Sequence, residues 1–467
     1  MCTTSAPNRH RPLSGSNALL ISRLQVVLTC TLLGLLVLTG CDPQGRTRRT
    51  PVPTQPPVVT QDKDVDTLRL PDDDLLPDTL IVDELDPDKI PDLDLPVGPS
   101  GATVSVMLPF FGDRFYSGAS SLPQNSDWAV GYYAGMRLAL EDLERAGERA
   151  QVFVYDTQGD AGKSQRLVQE PKVRESHVLF APYLADNVRA VTTPAKAINL
   201  PVVVPYSAAS KLGEPYARLV QLNPGLLRHL DGMAEYLSER YEPEQVVLVG
   251  LPTGEQNQEI AYLQRRHQEL SPKQAAWRTW QLSTSDVGLQ DLEWEDKFVE
   301  GKQTVFVFPA YRNPKIVLSF MSQLQVGRGV NDATVFGMPQ WAEFNQLDAS
   351  VMEDLGVLIT AGFHVSDRNP DVRAFEDRFV DRYGAIPPLS AYLGYDAMSY
   401  VLPLANQYGR AWTENLPTQY SGMASKYRIR AQFEADATDA EADPVQLENT
   451  AIQVLKYQNF GFRTSID

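Results

Sequence analysis

The chain is punctuated by short apolar runs, rich in β-branched residues, that each stop at a proline. The clearest is Leu200 to Ser210, which reads Leu-Pro-Val-Val-Val-Pro-Tyr-Ser-Ala-Ala-Ser. Val202 to Val204 has the composition of a strand buried on both faces. Pro205 ends it, because proline has no N–H to give a sheet ladder. Val104 to Met107 runs in the same way into Pro109, Val178 to Phe180 into Pro182, and Val246 to Val249 into Pro252. Val305 to Phe308 runs into Pro309, and Val335-Phe336 into Pro339. Between such runs lie stretches of helical spacing. Trp128 to Arg145 is one, with Val130, Tyr133, Met136, Leu140 and Leu143 recurring. Strands that alternate with helices at this spacing predict βαβ units and parallel sheets. In an open parallel sheet, ligands bind beyond the carboxyl ends of the strands, so the proline-marked ends are the candidate site.

The alternation falls into two series. The first has strands at Val104–Leu108, Val152–Tyr155, Val178–Phe180 and Val202–Val204. Helices are expected at Trp128–Arg145, through Leu167, and at Asp186–Ile198. The apolar run Leu219–Leu222 then ends at Asn223-Pro224. The second series follows a helix at Leu226–Tyr241. Its strands are Val246–Val249, Trp277–Leu282, Thr304–Phe308, Thr334–Phe336 and Val357–Thr360. Its helices are Gln256–Leu270, Pro314–Leu324 and a short one near Trp341. Asn369–Tyr383 and Ala391–Tyr408 are also expected to be helices, the first started by Asn369-Pro370 and stopped by Gly384. Tyr427–Phe433 and Thr450–Tyr457 flank the acidic stretch 434–443 and predict a terminal β-hairpin.

The N-terminal region is of another kind. Arg9, Arg11 and Arg23 precede the apolar run Leu24–Leu38, and Leu38-Thr39-Gly40-Cys41 follows. A basic start, a short apolar stretch and small residues before a cut describe a secretory signal peptide over residues 1–40. The apolar run falls short of the roughly 18 residues that a membrane-spanning helix needs. Leu38-Thr39-Gly40-Cys41 resembles the bacterial lipobox, which implies that Cys41 becomes a lipidated N-terminus and anchors the chain to a membrane. Asp42 resembles the inner-membrane retention residue of enterobacterial lipoproteins. Residues 41–101 read as a linker. Pro51, Pro53, Pro56 and Pro57 stiffen it, and Asp62 to Asp94 is too acidic and too broken to pack. It contains no Asp-x-Asp-x-Asp-Gly calcium loop.

Acidic residues outnumber basic ones 59 to 42, for a net charge of −17. That argues against nucleic-acid partners, which need a basic face to meet phosphate. The cysteines are Cys2, Cys30 and Cys41, so the chain beyond Cys41 contains neither a disulfide nor a thiolate metal site. There is no Gly-x-Ser-x-Gly elbow, P-loop, Gly-x-Gly-x-x-Gly or His-Glu-x-x-His. His177, His229, His267 and His364 lack metal-ligand spacing. Catalytic residues, metals and cofactors are therefore not expected, and neither is an enzyme.

Two βα series in one exported chain resemble the type I periplasmic binding proteins, in particular the receptors for leucine and other branched-chain amino acids. The resemblance covers residues 102 to about 460. Gly131-Tyr132-Tyr133-Ala134-Gly135-Met136-Arg137-Leu138-Ala139-Leu140 resembles the family's first helix. Val154-Tyr155-Asp156-Thr157 resembles its second strand, and Leu200 to Pro205 the phrase before its ligand loop. Ala391-Tyr392-Leu393-Gly394-Tyr395-Asp396-Ala397 resembles a late helix, and Asn449 to Tyr457 the ending of lipoprotein members. The resemblance implies an α/β architecture of two Rossmann-like lobes with parallel sheets. Lobe 1 would be 102–222 plus 363–410, and lobe 2 would be 223–362 plus 411–467. Three crossovers would join them, near Leu222–Gly225, Gly362–Val365 and Asn406–Tyr427, and act as a hinge.

The resemblance also implies the ligand contacts. In lobe 1 these are Phe111, Tyr183 and the loop Tyr206, Ser207, Ala208 and Ala209. Ala181-Pro182-Tyr183-Leu184-Ala185 lacks the small hydroxyl residues usual in the family. In lobe 2, Glu255, Tyr311 and Gln340 or Trp341 stand where the family presents an aromatic lid and a polar or acidic contact. Ser207 also fits as a helix cap, Asp156 as a cap of its own loop, and Asp396 as a packing or hinge residue. Two functions fit. One is a lipid-anchored receptor that captures an amino acid or a related small polar molecule for the membrane permease of an ABC importer. The other is a lipoprotein of the same fold with a degenerate cleft that regulates envelope or peptidoglycan enzymes. The receptor reading is favoured.

Overall fold

The computed structural model describes residues 98, 100–117, 123–182, 184–209, 212–251, 254–285, 288–289, 291–433 and 444–464. All of them belong to one compact unit, Val82–Asp467. The segments expected to be a signal peptide and a linker (all but a few residues of the latter), Cys41, Tyr183 and the acidic stretch 434–443 lie outside the described residues.

Two seven-stranded sheets carry the fold. The first is built from β1 (Ala102–Leu108), β2 (Ala150–Asp156), β3 (Val178–Phe180), β4 (Val202–Val204) and β5 (Leu219–Gln221). The second is built from β6 (Val246–Gly250), β7 (Arg278–Gln281), β8 (Thr304–Val307), β9 (Ala333–Gly337) and β10 (Leu358–Ala361). These ten strands pair in parallel within their sheets, with β1 and β6 toward one side of each. Most are wholly buried, as continuous β-branched runs require when helices cover both faces. Each lobe has its own apolar core.

The helices sit between successive strands. In lobe 1, α1 (Gln124–Arg145) packs on the late helix α8 (Leu389–Tyr408). Two glycines allow this contact. A Cβ on Gly135 would stand 1.8 Å from the Ala391 carbonyl oxygen, and one on Gly394 1.9 Å from that of Tyr132. The phrases Gly-Tyr-Tyr-Ala-Gly and Ala-Tyr-Leu-Gly are thus two halves of one close helix crossing. Asp396, on α8, is buried and accepts the backbone N–H groups of Met423, Ala424 and Ser425, each at 2.8 Å. It fixes a loop of lobe 1 rather than facing a ligand. The remaining helices used below are α2 (Ala161–Leu167), α3 (Ala185–Ala197), α4 (Leu226–Arg240), α5 (Gly254–Leu270), α6 (Pro314–Gly327) and α7 (Pro370–Tyr383). No helix among the described residues is long and apolar enough to cross a membrane.

The tail differs from expectation. The predicted terminal hairpin between 427–433 and 450–457 does not form. Instead β11 (Ile429–Gln432) pairs antiparallel with β12 (Gln446–Asn449), and β12 lies parallel beside β5 in the first sheet. The chain then crosses over. β13 (Gln453–Gln458) runs antiparallel to β10 in the second sheet, and β14 (Gly461–Thr464) closes that edge. The strands up to Asn449 therefore belong to lobe 1, not to lobe 2 as 411–467 would have it. The third crossover is Thr450–Ile452 rather than Asn406–Tyr427. The cause is pairing across long sequence distance. Leu447 lies opposite Val220 and Leu455 opposite Ile359, so each sheet completes itself with a piece of the tail.

Candidate functional site

The strand ends of the two lobes face each other across a cleft of about 1490 Å³. Ligand pockets of small-molecule proteins are usually roughly 300–1,000 Å³, so this space is wider than a small ligand fills.

From lobe 1, the segment after β4 supplies Tyr206, Ser207, Ala208 and Ala209. Its carbonyls are held away from the opening. The Tyr206 oxygen accepts from Asn223 Nδ2 at 2.6 Å, and the Ser207 oxygen from Gln221 Nε2 at 2.8 Å. The Ser207 hydroxyl accepts the Ala209 N–H at 3.4 Å, a local turn rather than a helix cap. Among the described residues, the Ser207 and Ala208 N–H groups have no acceptor. The Tyr206 ring leans on Trp128, with centroids 5.2 Å apart. Leu184 and Ala185 line the cleft from the loop after β3.

Phe111 does not line the cleft. It is buried at φ 55°, with its ring against Gly159, where a Cβ would stand 2.9 Å from it. The reason is Asp156. Its carboxylate accepts the N–H groups of Phe110 at 2.9 Å, Phe111 at 3.1 Å, Gly112 at 2.8 Å and Gln158 at 2.9 Å. The loop after β1 is therefore tied to the end of β2 and turned into the lobe.

From lobe 2, Tyr311 follows β8, and Gln340 and Glu343 stand on the short helical turn Pro339–Glu343 after β9. Trp341, between them, points the other way. Its indole N–H donates to the Ala310 carbonyl at 2.6 Å, and its ring covers Gly337, where a Cβ would stand only 2.3 Å from it. It is a core residue, not a cleft residue. Glu255 lies in the first turn of α5, and its side chain is outside the described residues. Among the described residues, the acid that lines the cleft from lobe 2 is Glu343, a residue the sequence did not single out.

The cleft floor is made by the crossovers, and this too was missed. Gly225 donates its N–H to Glu448 Oε1 at 2.9 Å, and Glu448 Oε2 lies 3.3 Å from Arg228 Nε. Arg228 also donates to Asp231 at 2.6 Å and to Gln432 at 3.1 Å. Asp231 further accepts from Tyr262 at 2.6 Å and pairs with Arg266 at 3.2 Å. This cluster joins lobe 1, through Gln432 and Glu448, to lobe 2, through α4 and α5. It also places a carboxylate at the N-terminus of α4, where the helix dipole favours negative charge. Burial nevertheless raises the Glu448 carboxyl above its ordinary range, opposed by the Gly225 N–H and the Arg228 charge. Asn449 ties the third crossover to the first by donating to the Leu222 carbonyl at 3.0 Å. No local pattern marks Glu448 or Gln432, since β11 and β12 reach the cleft only by joining the first sheet.

His229, on the first turns of α4, faces Thr360 Oγ1 at 3.1 Å. Burial pushes its imidazole down to about 4, so it is neutral at pH 7. Arg228 is already engaged by acids. The cleft thus offers N–H and hydroxyl donors from lobe 1, a solvent-exposed carboxylate at Glu343, and an apolar wall that includes Tyr311, Leu226, Phe363 and Tyr392. Among the described residues, no group of three or more His, Cys, Asp or Glu is placed to hold a metal ion.

The family model described as "Periplasmic binding protein" matches residues 119–424. No curated protein sequence matches the chain. Among solved structures, a protein from Rhodospirillum rubrum assigned to a branched-chain amino acid ABC transporter superposes with a TM-score of 0.57. The two are 16% identical, over 78% of this chain and 99% of that one. A branched-chain amino acid ABC transporter periplasmic ligand-binding protein from Burkholderia xenovorans LB400 gives 0.51 at 14% identity, over 76% of this chain and 90% of that one. An ABC transporter substrate-binding protein from Desulfitobacterium hafniense gives 0.51 at 12% identity, over 78% and 99%. At these identities the likeness to solved structures is one of fold. The family match spans well over half of the chain, and the two lobes, the parallel sheets and the three crossovers agree with it: the chain belongs to the periplasmic binding proteins, type I.

Proposed function

We propose that the chain is a periplasmic solute receptor that captures an α-amino acid, or a close relative, with an apolar side chain and delivers it to the permease of an ABC importer. The observation that carries this reading is the interlobe cleft, lined by strand-end loops from both lobes and floored by the crossovers that join them. The donors of Ser207 and Ala208 suit a carboxylate. Glu343 suits an ammonium on the opposite wall. Tyr206, Tyr311 and Tyr392 suit an apolar body between them. Closure of the lobes brings these groups onto one molecule and expels water. The ABC-transporter relatives that share the fold support the same role. The reading includes binding without chemical conversion. It also includes a lipid anchor at Cys41, supported by the Leu-Thr-Gly-Cys phrase, with residues 42–101 giving reach from the membrane.

The test is a thermal-shift screen followed by calorimetry, using the proteinogenic amino acids together with aliphatic and aromatic carboxylic acids. At least one apolar amino acid is expected to raise the unfolding midpoint, with saturable heat that Glu343→Gln and Tyr311→Ala weaken. If no member of the panel binds, the receptor reading fails.

A further inference from the structure

Beyond the Arg228 cluster, a second groove of about 780 Å³ opens between the lobes. One wall is a stripe of α4 that includes Asp231, Glu235 and Glu239. The other is the chain entering β11, with Lys426, Arg428 and Arg430. Thr450 and Ile452 of the third crossover also line it.

The two walls differ in how their charges are satisfied. On α4, Asp231 is engaged by Arg228, Arg266 and Tyr262, Glu239 by Arg240, and Glu235 by Arg266 at 3.6 Å. On the other wall, Lys426, Arg428 and Arg430 are all exposed, and among the described residues none forms an ion pair. That is notable in a chain whose acids outnumber its bases 59 to 42. The three recur at every second residue and so share one face of an extended chain, with about 7 Å between neighbours. Arg428 is also positioned. Its Nε and Nη2 donate to the Oγ1 and carbonyl of Thr450 at 3.3 and 3.1 Å. Among the described residues its Nη1 has no partner.

Charged residues on an edge strand also prevent unwanted pairing with other sheets. Edge protection does not by itself require one sign at three successive positions, a walled groove in front of them, or a guanidinium braced against a hinge segment.

We propose that this groove binds a small polyanion, of the chemical class of an inorganic diphosphate, on Lys426, Arg428 and Arg430. Two walls flank the site, so the ligand is a free solute and not a flat membrane surface. The braced Arg428 links the bound anion to the third crossover, and therefore to the hinge. The proposal is independent of what the main cleft binds.

The test is calorimetry and thermal unfolding of the full chain with inorganic pyrophosphate, at ionic strength held constant with sodium chloride. The wild type is expected to show saturable heat and a raised midpoint that sodium chloride alone does not reproduce. Both are expected to be lost in the Lys426→Gln/Arg428→Gln/Arg430→Gln variant, which leaves the core untouched. If that variant fails to fold, Lys426→Gln and Arg430→Gln singly should each weaken binding. Absence of saturable binding to the wild type, or binding unchanged in these variants, overturns the proposal.

Discussion

Asp156 gives the sharpest separation between what builds the site and what faces a ligand. Its Oδ1 accepts the N–H groups of Phe110, Phe111 and Gln158, and its Oδ2 accepts that of Gly112. Asp156→Ala leaves four backbone donors without this acceptor. The site is half-buried, so each costs toward the low end of the roughly 1–3 kcal/mol of an orphaned donor, for a total of about 4 kcal/mol. Asp156→Asn retains one oxygen for the three converging N–H groups, now as a neutral acceptor, but sets an NH₂ against the Gly112 N–H. Its cost is about 2 kcal/mol. For a protein of this size, each kcal/mol lowers the unfolding midpoint by roughly 2 °C. The two variants should therefore melt about 8 °C and about 4 °C lower by circular dichroism. Because Phe111 turns into the lobe, Asp156→Asn should bind the cleft ligand as the wild type does. A large loss of affinity with an unchanged midpoint would show that the loop after β1 faces the ligand, and the assignment of Asp156 and Phe111 to the interior would be wrong.

Other outcomes follow from buried charge. The imidazole of His229 is held at about 4, against 6.5 when unfolded, so its contribution to stability is complete above 6.5 and is lost as pH falls toward 4. The difference corresponds to about 3 kcal/mol, and urea titrations of His229→Gln between pH 4 and 7 should show a flatter pH dependence than the wild type. Arg410 is fully buried and donates to the carbonyls of Ser176 at 2.8 Å, Ile198 at 2.7 Å and Arg174, near two helix C-termini. Arg410→Met removes the cost of burying a cation but orphans these carbonyls, for a net loss of about 3 kcal/mol by urea unfolding; an unchanged midpoint would contradict that assignment. Crosslinking in cells should recover a membrane permease, whereas recovery of a peptidoglycan synthase would favour the regulatory reading instead.

The core of each lobe was legible because its signal is local. Val178–Phe180 and Val202–Val204 are strands at the residues where the apolar runs lie. The phrases that hold Gly135 and Gly394 were each legible as helices, whereas their close crossing at those two glycines emerges only in the structure. What was not legible depends on direction or on distance. The sequence places Gln340, Trp341 and Glu343 on one turn but does not say which of them rotates inward; the space over Gly337 decides that for Trp341. It places Phe111 in a strand-end loop, and the Asp156 carboxylate, 45 residues later, turns that loop inward. Glu448 and Gln432 reach the cleft only because β12 adds beside β5, more than 200 residues earlier in the chain (447 against 220). Repeating apolar patterns specify strands, but they do not say which sheet a tail strand will join.

Closure of the two lobes on a bound molecule is the claim on which the functional account stands. Cysteines introduced at the exposed residues Asp186 of lobe 1 and Lys315 of lobe 2, with Cys2, Cys30 and Cys41 replaced, allow two spin labels to be set across the cleft. Pulsed electron-spin distance measurements should show the separation shorten when a saturating ligand from the screen is added. A distance distribution that stays the same with ligand bound would contradict the account.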